Sequence, residues 1–209
     1  TFLLDAPWTP YDVSSSSMYL PEFVSSGLDQ AQVGNLAGTA LVNGDAFVDL
    51  ILMSDNGWSV ALGNGSGEFS LIGVTHELDG NQWSGNQGAQ ILSADFNHDG
   101  HTDLVVNARF ASHLEVWLGD GEGGFSESFD ISSYFLYSVD IGDLNDDGHQ
   151  DLVVSGRTYL GDGTGSFQPG AQIVVPDGRS VYATRIADFN ADGIQDVALA
   201  LDSDGVILA

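Results

Sequence analysis

The stretch Asp95-Phe96-Asn97-His98-Asp99-Gly100-His101-Thr102-Asp103, leading directly into Leu104-Val105-Val106, decides the reading of this chain. It returns as Asp143-Leu144-Asn145-Asp146-Asp147-Gly148-His149-Gln150-Asp151 before Leu152-Val153-Val154. A third copy is Asp188-Phe189-Asn190-Ala191-Asp192-Gly193-Ile194-Gln195-Asp196 before Val197-Ala198-Leu199. Each copy carries oxygen-bearing side chains at the first, third, fifth and ninth loop positions and a glycine at the sixth. Ca²⁺ is a hard cation that takes about six to eight oxygens, and side chains at alternate positions of a tight loop converge on one point when a glycine lets the chain turn sharply. Asp, Asn and Gly also build ordinary turns. Turn chemistry alone, however, does not call for the same Asp at the ninth position three times over.

The expected ligands are therefore Asp95, Asn97, Asp99 and Asp103; Asp143, Asn145, Asp147 and Asp151; and Asp188, Asn190, Asp192 and Asp196. The backbone carbonyls of His101, His149 and Ile194 are expected to complete the shells. The ninth-position Asp opens an apolar, β-type run where an EF-hand would continue to a Glu and a helix, so these read as calcium loops between strands. A degenerate copy precedes them. Asn43, Asp45 and Asp49 fill the third, fifth and ninth places, Ala46 replaces the glycine, and the first ligand, Asn35, is displaced by an insertion spanning Ala37 to Val42. Weak metal binding or none is expected there.

The loops recur at a spacing of roughly 45–48 residues, a period that indicates an array of supersecondary units. A second motif keeps the same period: Leu62-Gly63-Asn64-Gly65-Ser66-Gly67-Glu68-Phe69, Leu118-Gly119-Asp120-Gly121-Glu122-Gly123-Gly124-Phe125 and Leu160-Gly161-Asp162-Gly163-Thr164-Gly165-Ser166-Phe167. Its Asn/Asp-Gly centre is a hairpin signal. No segment shows helical periodicity over ten or more residues, so one unit reads as four strands, about 89–95, 103–108, 113–118 and 124–131 in the second copy. The fold class is all-β, a β-propeller of four-stranded antiparallel blades. The predicted units are about 28–75, 88–131, 135–175 and 179–209. Residues 1–27 are predicted to form an N-terminal strand and an irregular, Ser-rich linker.

The fourth unit reaches the end of the chain after its third strand, and Thr1-Phe2-Leu3-Leu4 resembles the start of a fourth strand, such as the Ser166-Phe167 step after a Gly-rich turn. Three arrangements stay open: the N-terminal strand completes the last blade of a four-bladed ring, the chain is a slice of a larger ring, or the strand pairs with a neighbouring subunit to build a homo-oligomer or fibre.

The D-x-N-x-D-G-x-x-D loops and L-G-[DN]-G-x-G-x-F turns resemble FG-GAP/VCBS repeats, the units of the integrin alpha-subunit propeller and of many secreted proteins. The resemblance covers roughly residues 28–209. It implies a calcium-stabilised propeller with the ligands named above. The degenerate first loop, the irregular segment from Trp8 to Gly27 and the small number of units depart from the family pattern.

Composition narrows the function. Thirty acidic residues face four basic ones, all arginine, for a formal charge of −26, which speaks against nucleic acid and anionic membrane surfaces as partners. No apolar stretch is long enough to span a bilayer. Calcium loops of this kind fill readily where free Ca²⁺ is near millimolar, so a secreted or cell-surface setting is expected. The expected function is a non-catalytic adhesion, ligand-binding or assembly module for a protein or glycan. Alternatives are a surface-fibre subunit, a lectin-like glycan binder using Trp8, Trp58, Trp83, Trp117 or the Tyr134/Tyr137 pair, and a polysaccharide-active enzyme. Trp117 lies in a predicted strand and is expected in the core or a blade interface, whereas Trp83 lies in a polar loop. No G-x-S-x-G elbow, H-E-x-x-H pair or thiol nucleophile is present, and no catalytic residue is assigned. His98, His101 and His149 read as solvated loop residues, His76 and His113 as isolated ones.

Overall fold

The computed structural model describes residues 35–54, 57–77, 89–108, 113–132, 136–175, 179–202 and 205–209. Within them the chain is all-β. The first sheet is β1 (Asn35–Ala40), β2 (Asp49–Ser54), β3 (Gly57–Gly63) and β4 (Phe69–Glu77), and the second is β5 (Gln90–Ala94), β6 (Asp103–Ala108), β7 (His113–Gly119) and β8 (Phe125–Ser132). The third is β9 (Val139–Gly142), β10 (Asp151–Val154), β11 (Arg157–Gly161) and β12 (Phe167–Gln172), and β13 (Val181–Ala187), β14 (Asp196–Leu201) and β15 (Gly205–Leu208) make a three-stranded fourth. Strands pair antiparallel in chain order within every sheet, the arrangement of propeller blades. The N-terminal strand, its linker, and Trp8, Trp83, Tyr134 and Arg109 lie outside the described residues.

The second strand of each blade shows why its sequence does not alternate. Leu104, Val105 and Val106 are all fully buried, as are Leu152 and Val153. Side chains point alternately to the two faces of a strand, and here both faces are covered. Leu104 and Val106 pack with Ile51, Met53, Trp58 and Val60 of the first blade, while Val105 joins Leu152, Val154, Tyr159 and Phe167 of the third. Val153 points the other way, into a cluster with Val181, Val197, Leu199 and Leu201 of the fourth. Each interior blade is thus a middle layer, and full burial of such a side chain is worth about 1.5–3 kcal/mol.

The first interface is aromatic. Trp58 is fully buried and meets Trp117 edge-on at 5.3 Å and 79°, and Phe125 at 5.4 Å and 71°. Trp117 is therefore a core residue, as its strand position implies, and so is Trp58. Both leave the set of exposed aromatic contact candidates.

The first strands of successive blades adjoin, β1 with β5, β5 with β9 and β9 with β13. Side chains satisfy the backbone groups on their facing edges. Gln90 donates from Nε2 to the Val139 carbonyl at 2.8 Å and accepts from the Val139 amide at 3.1 Å. Asp140 Oδ2 accepts from the Ile186 amide at 2.7 Å, and the Ser138 and Thr184 hydroxyls lie 2.8 Å apart in a buried contact. An unpaired buried amide costs about 1–3 kcal/mol, so Gln90 and Asp140 replace ladder bonds where no ladder exists.

Candidate metal centres

Each loop of the D-x-N-x-D-G-x-x-D type joins the first and second strands of its blade, at the same end as the Gly-rich turn between the third and fourth. In the second blade the Asp99 amide donates to Asp95 Oδ1 at 3.2 Å and to Asn97 Oδ1 at 3.1 Å. The Gly100 amide donates to Asp95 Oδ2 at 3.0 Å and the His101 amide to Asp99 Oδ1 at 2.8 Å. The third blade repeats these bonds at 3.2, 3.1, 2.9 and 2.8 Å through Asp143, Asn145 and Asp147. The fourth repeats them at 3.2, 2.8, 2.9 and 2.8 Å through Asp188, Asn190 and Asp192. Position four is left-handed in each loop, at His98, Asp146 and Ala191 with φ of 58°, 58° and 61°, and the glycine after position five has φ of 86°, 86° and 89°.

The ninth-position carboxylate has a different task. Asp103 is fully buried; Oδ2 accepts from the Phe96 amide at 2.7 Å and Oδ1 from the Gly119 amide at 2.8 Å. It staples the loop to the first glycine of the Gly-rich turn. Asp151 binds the Leu144 and Gly161 amides at 2.9 and 2.8 Å, and Asp49 the Val42 and Gly63 amides at 2.9 and 2.9 Å. Asp196 accepts from the Phe189 amide at 3.0 Å.

Two kinds of carboxylate result. At the rim, amide donors hold Asp99, Asp147 and Asp188 below the ordinary carboxylate range, the His101, His149 and Gly193 amides being the leading cause in turn. On the floor, burial pushes Asp103 and Asp151 up, against the pull of their amide bonds. Repulsion from Asp99 and Asp95 raises Asp103 further, and Asp147 and Asp143 act on Asp151 in the same way. In both blades the first, fifth and ninth positions therefore share one electrostatic environment. Among the described residues no three His, Asp or Glu side chains form a closed metal cluster. The donors at the first, third, fifth, seventh and ninth positions are oxygens, from carboxylate and amide side chains with a backbone carbonyl, the kind of set that could hold calcium.

The first-blade loop departs from expectation. β1 continues to Ala40 with a register shift between Leu36 and Gly38, and the Val42 amide bonds Asp49 as the Phe96 amide bonds Asp103, so Leu41 occupies position one and the expected insertion shrinks to that bulge. Asn35 is the first residue of β1, paired with Met53. Asn43 and Asp45 keep their mutual bonds, at 2.9 and 3.3 Å. Gly44 takes the left-handed position at φ 72°, and Ala46 has no positive φ.

The histidines are not simply solvated. His98 Nε2 and His149 Nδ1 lie 2.9 Å apart, joining the loops of adjacent blades. His101 and His149 also lie against Gly121 and Gly163, where any Cβ would strike their rings; Phe47 covers Gly65 in the same way. His113 is not isolated, since its Nε2 is 3.3 Å from Ser132 Oγ and its Nδ1 4.0 Å from Glu115 Oε1. The repeating fit of the seventh-position side chain onto the second turn glycine has no fixed spacing in the sequence, because Phe47, His101 and His149 precede their glycines by 18, 20 and 14 residues.

The FG-GAP-like repeat, as a family, matches residues 42–106, 95–154 and 155–199 of this chain. No curated protein sequence matches the chain. Among solved structures, a lectin of Agrocybe aegerita, described as specifically recognising non-reducing terminal N-acetylglucosamine, is 20% identical with a TM-score of 0.49, over 81% of this chain and 50% of that one. The Photorhabdus luminescens Tc holotoxin pore is 19% identical with a TM-score of 0.47, over 81% of this chain and 8% of that one. The V. cholerae biofilm matrix protein Bap1 is 19% identical with a TM-score of 0.50, over 77% of this chain and 23% of that one. The chain thus spans half or less of each of these structures, and the likeness to the last is one of fold. With three consecutive matches that together span residues 42–199, the chain belongs to the FG-GAP-like repeat family.

Proposed function

We propose that this chain is a non-catalytic, calcium-stabilised propeller module that works outside the cell and binds a protein or glycan ligand. The observation that carries the metal is the repeated loop geometry, in which the same amide bonds hold Asp95, Asn97 and Asp99, then Asp143, Asn145 and Asp147, then Asp188, Asn190 and Asp192. A divalent cation would offset the repulsion among the carboxylates of one loop. Asp95, Asn97 and Asp99 and their counterparts would hold it, together with the seventh-position carbonyl. Asp103 and Asp151 would add the second lone pairs of oxygens already bonded to amides. The bound ion supplies charge neutralisation and loop rigidity, and the chain supplies the frame.

Extracellular calcium is abundant enough to fill such loops, which supports the placement outside the cell. The test is calorimetric titration of the chelated protein with Ca²⁺, alongside thermal unfolding with and without it. Three sites are expected, with stabilisation of about 2.7 kcal/mol per site at a hundredfold excess over Kd. Absence of both binding and stabilisation at millimolar Ca²⁺ defeats the reading.

A further inference from the structure

We propose that the groove beneath the β10–β11 turn binds the carboxylate of a terminal hexuronic acid residue, with Arg157 and Arg179 as its cationic contacts. The proposal rests on the binding-module reading and names its ligand class. The groove lies at the opposite end of the blade from the acidic loops, between the third and fourth blades, and has a volume of about 600 Å³. Small-ligand sites typically measure about 300–1,000 Å³.

Four arginines are the chain's only permanently charged basic side chains, and two of them line this one groove. Arg185, by contrast, is exposed and donates to the carbonyl of its neighbour Thr184 at 2.9 Å. Arg157 is exposed, and among the described residues it forms no ion pair. Arg179 is held in place, its Nε 3.3 Å from Asp202 Oδ1 and its guanidinium lying across Gly205. One cation is thus fixed and the other free to close on a ligand. A guanidinium recognises carboxylate with paired, parallel hydrogen bonds.

The rest of the wall suits a pyranose ring. Tyr137 presents ring surface, and it is stacked on Tyr182 at 5.1 Å and 22°, which fixes its plane. Gln172 and Ser155 add an amide and a hydroxyl at the rim, although Gln172 Nε2 already donates to the Gly156 carbonyl at 3.1 Å and Ser155 Oγ already accepts from the Tyr137 amide at 3.0 Å. Aromatic faces take the C–H side of a sugar and polar groups take its hydroxyls.

The overall charge selects the size of the anion. A polyanion would have to lie along a surface carrying −26, whereas a single carboxylate meets the two arginines at contact. Charges beyond about 8 Å are largely screened at physiological ionic strength.

The experiment is an amide-resolved NMR titration of the calcium-loaded protein with methyl glucuronide and, separately, with the neutral methyl glucoside. Shifts centred on Ser155, Gly156, Arg157 and Tyr137 are expected with the glucuronide, and binding about tenfold weaker with the glucoside. Arg157→Gln should weaken glucuronide binding by at least about tenfold, the loss of one charge-assisted pair, with its melting temperature unchanged because the side chain is exposed. Arg179→Gln should also weaken glucuronide binding, and R157K should restore part of the binding. Equal affinity for the two sugars, shifts confined to another surface, no binding at millimolar sugar, or R157Q binding as tightly as the parent each overturn the proposal. Calcium titration of the same sample separates the readings, since a protein that takes up calcium and ignores glucuronide defeats only this one.

Discussion

Replacing Asp103 by Ala separates the two tasks that its carboxylate combines. The side chain is fully buried and occupies two backbone amides, Phe96 at 2.7 Å and Gly119 at 2.8 Å. Its removal strands both, at about 1–3 kcal/mol each. Burial already opposes the charged carboxylate, as its raised pKa shows, so part of the loss is returned and about 2–4 kcal/mol should remain. Urea unfolding in excess chelator reads this quantity with no metal contribution. The same measurement in millimolar Ca²⁺ should show a larger loss, because the stapled loop is also a metal loop. Asp196→Ala, which frees the Phe189 amide bonded at 3.0 Å, should cost about half as much in chelator, roughly 1–2 kcal/mol. If Asp103→Ala were neutral in chelator and destabilising only with calcium, the staple would carry no energy and the carboxylate would be a metal ligand alone.

Gly121→Ala should cost more than Gly100→Ala. Both glycines have φ near 70–90°, a strain of about 1–2 kcal/mol for alanine, but a Cβ at 121 also strikes the His101 ring while the space around 100 is open. The order of midpoints in urea checks this. Trp58→Ala should lose about 3–5 kcal/mol in the same assay, since the ring is fully buried against Trp117 and Phe125. Asp162 lies below its ordinary pKa chiefly through the Thr164 hydroxyl, 2.6 Å from Oδ1. A depressed carboxylate stabilises the fold above its unfolded pKa and loses that contribution as pH falls through the folded one. Thr164→Val should therefore raise the Asp162 pKa in an NMR titration and weaken the acid-side dependence of stability; an unmoved pKa contradicts the assigned cause.

The blade plan is legible in the sequence because its signals are local. A loop motif, an apolar run and a hairpin motif fall within one unit, and the second unit shows them as β5 to β8 in the expected order. The features that escape such a reading lie between segments. Asp103 reaches Gly119 across 16 residues, and the bond joins two motifs that read as separate signals. His98 meets His149 across 51 residues, in another blade, so a histidine that looks solvated in its own loop has a partner that no local pattern announces. The place of Leu41 at the head of the first loop is hidden because that loop lacks the acidic residue that marks its start, while the bond from the Val42 amide to the Asp49 carboxylate that fixes the register asks nothing of the side chain at 42. The groove with Arg157 and Arg179 is assembled from both sides of a blade boundary, and nothing in the spacing of two arginines indicates a shared wall.

The third glycine of the Gly-rich turns in the second and third blades has a consequence for how such a chain can grow. Gly123 is occupied from the blade before it by Ile72 and Leu62, and Gly165 by Leu118 and Ser128. The second blade thus carries a socket at one side, Gly123, and the leucine plug for the next socket, Leu118, at the other, both within one short motif. A unit copied whole by gene duplication brings the two halves of its joint along and docks without any new mutation, and a copy cut elsewhere separates them. Stability then accrues joint by joint along a one-dimensional array. Lengthening by whole units is the low-barrier route in evolution, and the same joint offers an engineer a defined place to splice blades from one array into another.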